Sequence, residues 1–372
     1  VGRIRDLKKE KPDLLIGVGG CIAQQKGGEI TKRTKGVDLV FGTRSIHEIP
    51  KLLDALSEKS KHLVNVAEHK INTVSYPALR KKGIKAWVSI MYGCNNFCTY
   101  CVVPYTRGRE ESRPKEEILK EVQGLANQGF KEITLLGQNV NSYETDFPAL
   151  LRYLHPVEGI ERIRFMTSHP KDLSDNLIDA IAELPKVCNH LHLPIQSGSD
   201  RILKLMNRGY TYSEYKKKID KIKDKMPEIG ITTDIIVGFP GETEDDLNMT
   251  MDALRDVEYD NIYAFKYSKR QDTAADRFDG HLSKGLKEER LSQVMLLQTE
   301  ITTIKNKGHI GLTVGVLVEG VSEADNSRLT GRTEANRIVN FTGHSELIGR
   351  LVNVKIINAN LSNLEGVISN NE

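Results

Sequence analysis

Three cysteines, Cys94, Cys98 and Cys101, crowd into the stretch MYGCNNFCTYCVVPYTRGRE of a 372-residue chain. The spacing C-x-x-x-C-x-x-C lets one short loop aim three sulfurs at one point, and any fold that carries it must present that loop. A 4Fe–4S cube normally takes four cysteine thiolates, so three local ones predict a cube with one iron left open for a substrate or cofactor. A structural zinc would want a fourth protein ligand, usually from a second C-x-x-C or an H-x-x-x-H pair, and the sequence holds no such pair. Buried apolar cysteines are the third reading of the spacing.

The remainder of the chain narrows the setting. Its length exceeds one typical domain and favours two or three. With 39% hydrophobic and 28% charged residues it is a globular sequence. No apolar run approaches the roughly 18 residues of a membrane span, so no membrane partner is expected. A net charge of +3 permits a nucleic-acid partner without demanding one. Five cysteines, three of them clustered, do not make a disulfide framework; an iron–sulfur site suits a reducing cytoplasm. The chain starts at Val1, already inside a charged amphipathic segment, and an N-terminal truncation is expected.

DLLIGVGG (13–20) reads as a short buried strand ending in glycines, followed by Cys21 and a helical stretch to about residue 34. VDLVFG (37–42) is a second strand, and SIHEIPKLLDAL has helical periodicity, which together predict a small α/β module with Cys21 at a strand end, where such folds place ligands. Residues 60–85 form a lysine-rich connector, with a domain boundary at Pro77. From residue 86 a strand–helix alternation repeats six times, with strands AWVSIMYG, EITLLGQNV, RIRFMTS, HLHLPIQSG, TTDIIVGFPG and NIYAFKYS. Ser112 and Thr243 are expected N-terminal caps before acidic first turns. Six units fall short of a closed eightfold barrel, so the α/β fold class expected is a partial, open (β/α)6 barrel over residues 78–308.

Parallel barrels do their chemistry at the C-terminal ends of the strands. Cys94 follows the first strand there, Gln138 and Asn139 the second, and Ser168 and His169 the third. Gln196, Ser197 and Gly198 follow the fourth, Gly238 and Glu242 the fifth, and Tyr267 the sixth. His169, with no paired acid, reads as structural, and isolated Cys188 as a core residue. Arg107, Arg109 and Arg113 form a basic loop after the cysteines, suited to a carboxylate or to phosphate. A long helical segment from about 285 leads to a tail, 309–372, of short β-rich runs, as expected of a small antiparallel barrel. There Arg328, Arg332, Arg337 and Phe341 would offer phosphate contacts and a stacking ring.

The three-cysteine loop resembles that of the radical S-adenosylmethionine (SAM) superfamily, and CNNFCTYCVVPYTRGRE followed by SRP resembles more closely the MiaB-type methylthiotransferases. GRTEANRIVNF and LIGRLVNVKI resemble a TRAM domain, an RNA-binding β-barrel. GVGGCIAQQ matches the last cysteine segment of the family's N-terminal α/β domain, here residues 1–77. The resemblance implies that Cys94, Cys98 and Cys101 hold a SAM-cleaving 4Fe–4S cluster, with Tyr100 beside the adenine and Gln138, Gln196, Ser197 and Gly238 near SAM. It implies two 4Fe–4S clusters in the full-length protein, of which this chain fully ligates one, since Cys21 is the single auxiliary-cluster ligand present. The implied reaction is methylthiolation at C2 of N6-isopentenyladenosine beside the tRNA anticodon. It also implies a flavodoxin- or ferredoxin-like electron donor, an unidentified sulfur donor and a cytoplasmic monomer. Alternatives are a sister enzyme acting on threonylcarbamoyl-adenosine or a ribosomal protein, a form that cleaves SAM without sulfur insertion, and a non-enzymatic zinc and RNA-binding module.

Overall fold

A computed structural model of the chain describes residues 2–59, 62–66, 80, 82–144 and 146–369. Two compact units result: 1–77 with 92–97 and 101–111, and 78–91 with 98–100 and 112–372. Pro77, the expected boundary, lies outside the described residues.

The first unit opens with α1 (Gly2–Glu10), β1 (Gly17–Gly19), α2 (Cys21–Lys26) and α3 (Gly28–Arg33). β2 (Leu39–Phe41), α4 (Ile49–Lys59) and β3 (Leu63–Asn65) follow, and the strands pair in parallel in the order β1-β2-β3. β3 corrects the sequence reading, which assigned its residues to the polar connector. Three residues set in a lysine-rich stretch carry too little periodicity to stand out; the strand exists because its register with β2, Leu39 opposite Leu63, completes the sheet. Ile16, Ala23, Val37 and Val40 form the core beneath.

In the second unit six strands alternate with helices. β4 (Lys85–Ser89) comes first, and the cysteine loop after it is flanked in sequence by two-residue strands β5 (Met91–Tyr92) and β6 (Glu111–Ser112); α5 (Val103–Arg107), within that loop, belongs to the first unit. Then come α6 (Lys115–Asn127), β7 (Glu132–Leu136), α7 (Phe147–Leu154), β8 (Arg162–Phe165), α8 (Asp175–Glu183) and β9 (His190–His192). α9 (Asp200–Leu205), α10 (Tyr212–Lys225), β10 (Gly230–Val237), α11 (Glu244–Val257), β11 (Asn261–Lys266) and the long α12 (Lys284–Lys307) complete it. The strands pair in parallel as β4-β7-β8 and β9-β10-β11, and a single parallel bridge, Ile163 to Val187, links the two halves. All six strands predicted from sequence are present, alternating with helices.

Strand periodicity sorts the side chains. Ala86, Val88, Ile133, Leu135, Ile163, Phe165, Leu191, Ile231, Ile235 and Ile262 enter the main core under the helices, each of these side chains larger than alanine contributing about 1.5–3 kcal/mol. The alternate positions, among them Trp87, Thr134, Arg164, His192, Asp234 and Tyr263, therefore face the concave side. Helix starts are fixed by side chains: Thr211 with Glu214 and Thr243 with Asp246 form capping boxes on α10 and α11. The cap expected of Ser112 does not form. Pro114 stands at the N-cap of α6, and the Ser112 hydroxyl accepts from the Glu144 N–H instead.

The tail is a closed barrel, β12 (Thr313–Val321), β13 (Leu329–Arg332), β14 (Ile338–Phe341), β16 (Leu364–Ile368) and β15 (Leu351–Ala359) in spatial order. It is antiparallel except for the parallel pair β14–β16, which the sequence reading did not anticipate. Phe341 lies with Val316, Val339 and Val354 in its core at 1% exposure. This corrects its expected role: an enclosed ring cannot stack on a base.

The tail is bound to the N-terminal ends of the barrel strands. The Arg164 guanidinium pairs with Glu132 at 2.9 Å and donates to the carbonyls of Thr333 and Glu334, both at 2.7 Å. Arg162 donates to the carbonyls of Arg332 and Gly315. Arg337 is committed to Asp260, and Arg332 sits 3.4 Å from Glu319. Arg328 pairs with Asp325 and Glu365, so all three tail arginines expected on RNA phosphate have carboxylate partners within the protein. Arg164→Leu leaves Glu132, 2% exposed, as an unpaired buried carboxylate. We expect a loss of about 3–5 kcal/mol, read as a lowered unfolding midpoint that Glu132→Leu in the same chain restores in part.

Candidate functional site

Within the second unit, the C-terminal strand ends collect Cys98, Tyr100, Gln138, Asn139, Ser168, His169, Gln196, Gly238, Glu242 and Tyr267. Cys98 is buried, and the Arg208 guanidinium approaches its Sγ at 3.4 Å. The same guanidinium donates to the Pro194 carbonyl at 2.7 Å, to the Tyr210 hydroxyl at 2.9 Å and to the Tyr100 hydroxyl at 3.4 Å. Burial opposes its charge, but Tyr100, Tyr210 and Cys98 outweigh it and raise its pKa further. Sequence reasoning missed Arg208, because MNRGY reads only as a turn; nothing local announces that the arginine turns inward.

Several buried polar atoms on this rim lack a protein partner: Gln138 Oε1, Asn139 Oδ1, Ser168 Oγ, His169 Nε2 and the Tyr267 hydroxyl. Buried polar groups are almost always satisfied, so five orphans at one set of strand ends fit a polar ligand. Asn139 has its amide nitrogen fixed on Asp172 at 2.7 Å, which leaves the oxygen for something else. His169 Nδ1 accepts from the Lys171 N–H, so the neutral ring carries its proton on Nε2. Burial first, then Arg208, Lys171 and Lys218, hold its pKa down at about 2. A neutral donor aimed at the rim is a binding group, which goes further than the structural role read from sequence.

Backbone strain marks the same ends. Thr167 (φ 69°) and Gln196 (φ 76°) are non-glycine residues in the left-handed region, a conformation that costs about 1–3 kcal/mol and gathers at ligand sites. Gly238 (φ 69°) donates its N–H to Glu242, and Glu242 is locked by Arg290 at 2.7 Å. A Cβ at Gly238 would lie 2.2 Å from Lys287 Cγ, so this turn tolerates glycine alone. Ser197 is 1% exposed and faces Thr250 at 3.3 Å, so its hydroxyl serves helix packing and is turned away from the rim. Cys188 is a core thiol, its pKa pushed up to about 11 by burial.

The first unit holds Cys21, Cys94 and Cys101. Cys21 starts α2 directly after β1, with Gly20 (φ 103°) at the N-cap. Cys94 and Cys101 are half-buried, and the Val103 N–H points at Cys101 Sγ at 3.5 Å. Gly93 (φ 72°) brings the chain against its own return, where a Cβ would sit 1.9 Å from the Arg109 carbonyl oxygen. Arg109 is exposed and lies 4.5 Å over the Phe97 ring, while Arg44 fastens the Arg107 carbonyl and pairs with Glu111. Arg113, in the second unit, pairs with Glu121 at 2.8 Å and is buried, so it is structural.

Among the described residues no three His, Cys, Asp or Glu side chains are gathered as a single ion demands. A cube spreads its thiolates over separate irons, so the donor chemistry is the relevant test. The residues fit: a guanidinium stands beside the Cys98 sulfur and a backbone N–H beside that of Cys101, the donors that cluster-bound sulfur accepts. Arg208→Leu should lower iron and acid-labile sulfide per chain after anaerobic reconstitution, and Arg208→Lys should restore part of it.

His190, at the strand base, is neutral too: burial, then Arg164 and His192, bring its pKa to about 3. Unfolding releases both histidines to the ordinary value of 6.5. Folding stability is therefore level above that value and falls below it, by about 1.4 kcal/mol per pH unit for each histidine. Urea midpoints near pH 7.5 and near pH 5.5 should diverge less in His190→Gln than in the parent.

Comparison with known proteins gives matches along the whole chain. The radical SAM superfamily model matches residues 88–254, and the TRAM domain model matches 309–368. The tRNA-2-methylthio-N(6)-dimethylallyladenosine synthase of Syntrophus aciditrophicus is 50% identical, over 98% of this chain and 81% of its own. Those of Alkaliphilus oremlandii (50% identical, 99% and 80%) and Carboxydothermus hydrogenoformans (46%, 99% and 86%) align equally fully. Among solved structures, the radical SAM methyltransferase TsrM of Kitasatospora setae, with tryptophan and a SAM analogue, superposes with a TM-score of 0.58. It shares 17% identity and covers 71% of this chain and 58% of its own. The cobalamin-dependent radical SAM enzyme OxsB gives 0.54, with 15% identity, over 80% and 45%. These two share the fold.

Proposed function

The chain belongs to the tRNA-2-methylthio-N(6)-dimethylallyladenosine synthase family of radical SAM enzymes, and we propose that it methylthiolates C2 of N6-isopentenyladenosine beside the anticodon of tRNA. One observation carries the reading beyond the family. The Cys98 sulfur is held against the buried Arg208 on a barrel rim whose polar atoms await a partner.

Breaking an aromatic carbon–hydrogen bond has no acid–base route at neutral pH, so the hard step falls to a cofactor. When bound, a 4Fe–4S cluster with an open iron supplies the electron that cleaves SAM to a 5′-deoxyadenosyl radical able to take that hydrogen. Cys94, Cys98 and Cys101 would hold it. Arg208 keeps positive charge beside Cys98 and steadies Tyr100. Gln138 and Asn139 offer oxygens and His169 a ring N–H to the polar groups of SAM, while the backbone at Gln196 and Gly238 shapes the wall. Cys21 is this chain's ligand for the auxiliary cluster. Arg107 and Arg109 would meet RNA phosphate, and the tail would dock the anticodon stem-loop. A monomer in the cytoplasm, reduced by a flavodoxin- or ferredoxin-like donor, completes the proposal; no helix among the described residues is long and apolar enough to cross a membrane.

Deleting the gene should remove 2-methylthio-N6-isopentenyladenosine from digested tRNA and leave the unthiolated nucleoside in its place, as followed by mass spectrometry. An unchanged thiolated nucleoside sinks this substrate. Cys98→Ala should lose the iron of one cluster and stop 5′-deoxyadenosine release from SAM under reductant.

A further inference from the structure

Among the described residues β4 pairs only with β7 and β11 only with β10, so these two strands are edges and the barrel is open between them. Large rings stand on the concave side of both. Ala86 and Val88 enter the core, which turns Trp87 inward at 64% exposure. Ile262 enters the core and Lys266 pairs outward with Glu288 of α12, which turns Tyr263 and Phe265 inward at 46% and 54% exposure. Apolar rings left in solvent on the inner face of an enzyme barrel contribute little to folding and are suited to a flat, aromatic ligand.

Two further observations point to a polynucleotide strand. Lys269 and Arg270 are exposed just beyond the C-terminal end of β11, the strand that carries Phe265. Below Tyr263 a cavity of about 350 Å³ runs on to Asn336 and Arg337 of the tail. The buried Gln298 also lines that cavity, with its Oε1 unpartnered. Stacking rings beside a basic pair and a polar trough are how single-stranded nucleic acid is held.

We infer that Trp87 on one edge strand and Tyr263 and Phe265 on the other frame a nucleobase-stacking mouth through which the target adenosine, turned out of its stack, enters the barrel. This rests on the RNA-substrate reading above. A base leaving its neighbours loses stacking energy, and aromatic side chains along the entrance return it. The pair on β11 lies at successive inward positions, so the base meets Tyr263 and Phe265 in turn.

Trp87 is the single tryptophan of the chain, so its fluorescence reports on the mouth without any substitution. An anticodon stem-loop bearing N6-isopentenyladenosine should quench it on binding, while the same stem-loop abasic at that position should bind without quenching. Affinity, read in parallel by anisotropy of labelled RNA, should weaken about tenfold in Trp87→Ala or Phe265→Ala and recover in Trp87→Phe. SAM cleavage in the absence of RNA should be unchanged in these variants. Binding with equal or no quenching by the two stem-loops overturns the mouth while leaving the RNA-substrate reading intact. If neither stem-loop binds, both readings are overturned.

Discussion

A guanidinium stripped of water must find acceptors or unfold its surroundings. Arg208 finds four: a carbonyl, two phenolic oxygens and the sulfur of Cys98. That single demand ties Cys98 and Tyr100 to the end of the fourth strand. The arginine brings its charge to that sulfur from inside the barrel, where the low dielectric makes it count.

The other end of the barrel is held by the same logic with a different outcome. Arg162 and Arg164 point from β8 into the base of the sheet, and their fixed forks match the carbonyls of Gly315, Arg332, Thr333 and Glu334 in the tail. Backbone acceptors at a β-turn cannot move away as side chains can, so the small barrel is fastened at several points. Arginines at the base give cohesion; the one at the rim gives chemistry. The rim keeps its orphan acceptors and left-handed residues because ligand binding, absent from the base, can compensate them.

Much of this was legible in the sequence because it rests on local signals. The six strands follow from apolar runs of the right length, the rim from the rule that parallel strands expose their C-terminal ends, and the Thr243 cap from its acidic first turn. The cysteine loop declared itself by spacing. What escaped depends on long-range partners. β3 is a strand only because β2 lies beside it, Arg208 is a site residue only because the fold buries it, and Ser197 turns away because α11 packs behind it. Phe341 and the tail arginines misled because exposed and enclosed positions alternate along a short strand, and composition does not say which face is inner.

An open barrel carries a standing liability. Among the described residues two edge strands present unpaired backbone groups, and proteins ordinarily blunt such edges with charge, proline or a covering element. Here one edge strand carries Trp87 and the other Tyr263 and Phe265 on the concave face, the opposite of protective design. Eight strands would bury these rings and close the lumen, and a nucleotide still attached to its polymer could then enter only along the axis. Six strands leave a side opening, and the rings on its margins turn the unprotected edge into the part of the surface that has something to bind. The incomplete sheet and the misplaced aromatics are then one feature: the fold stays open where its substrate is too large to be swallowed whole.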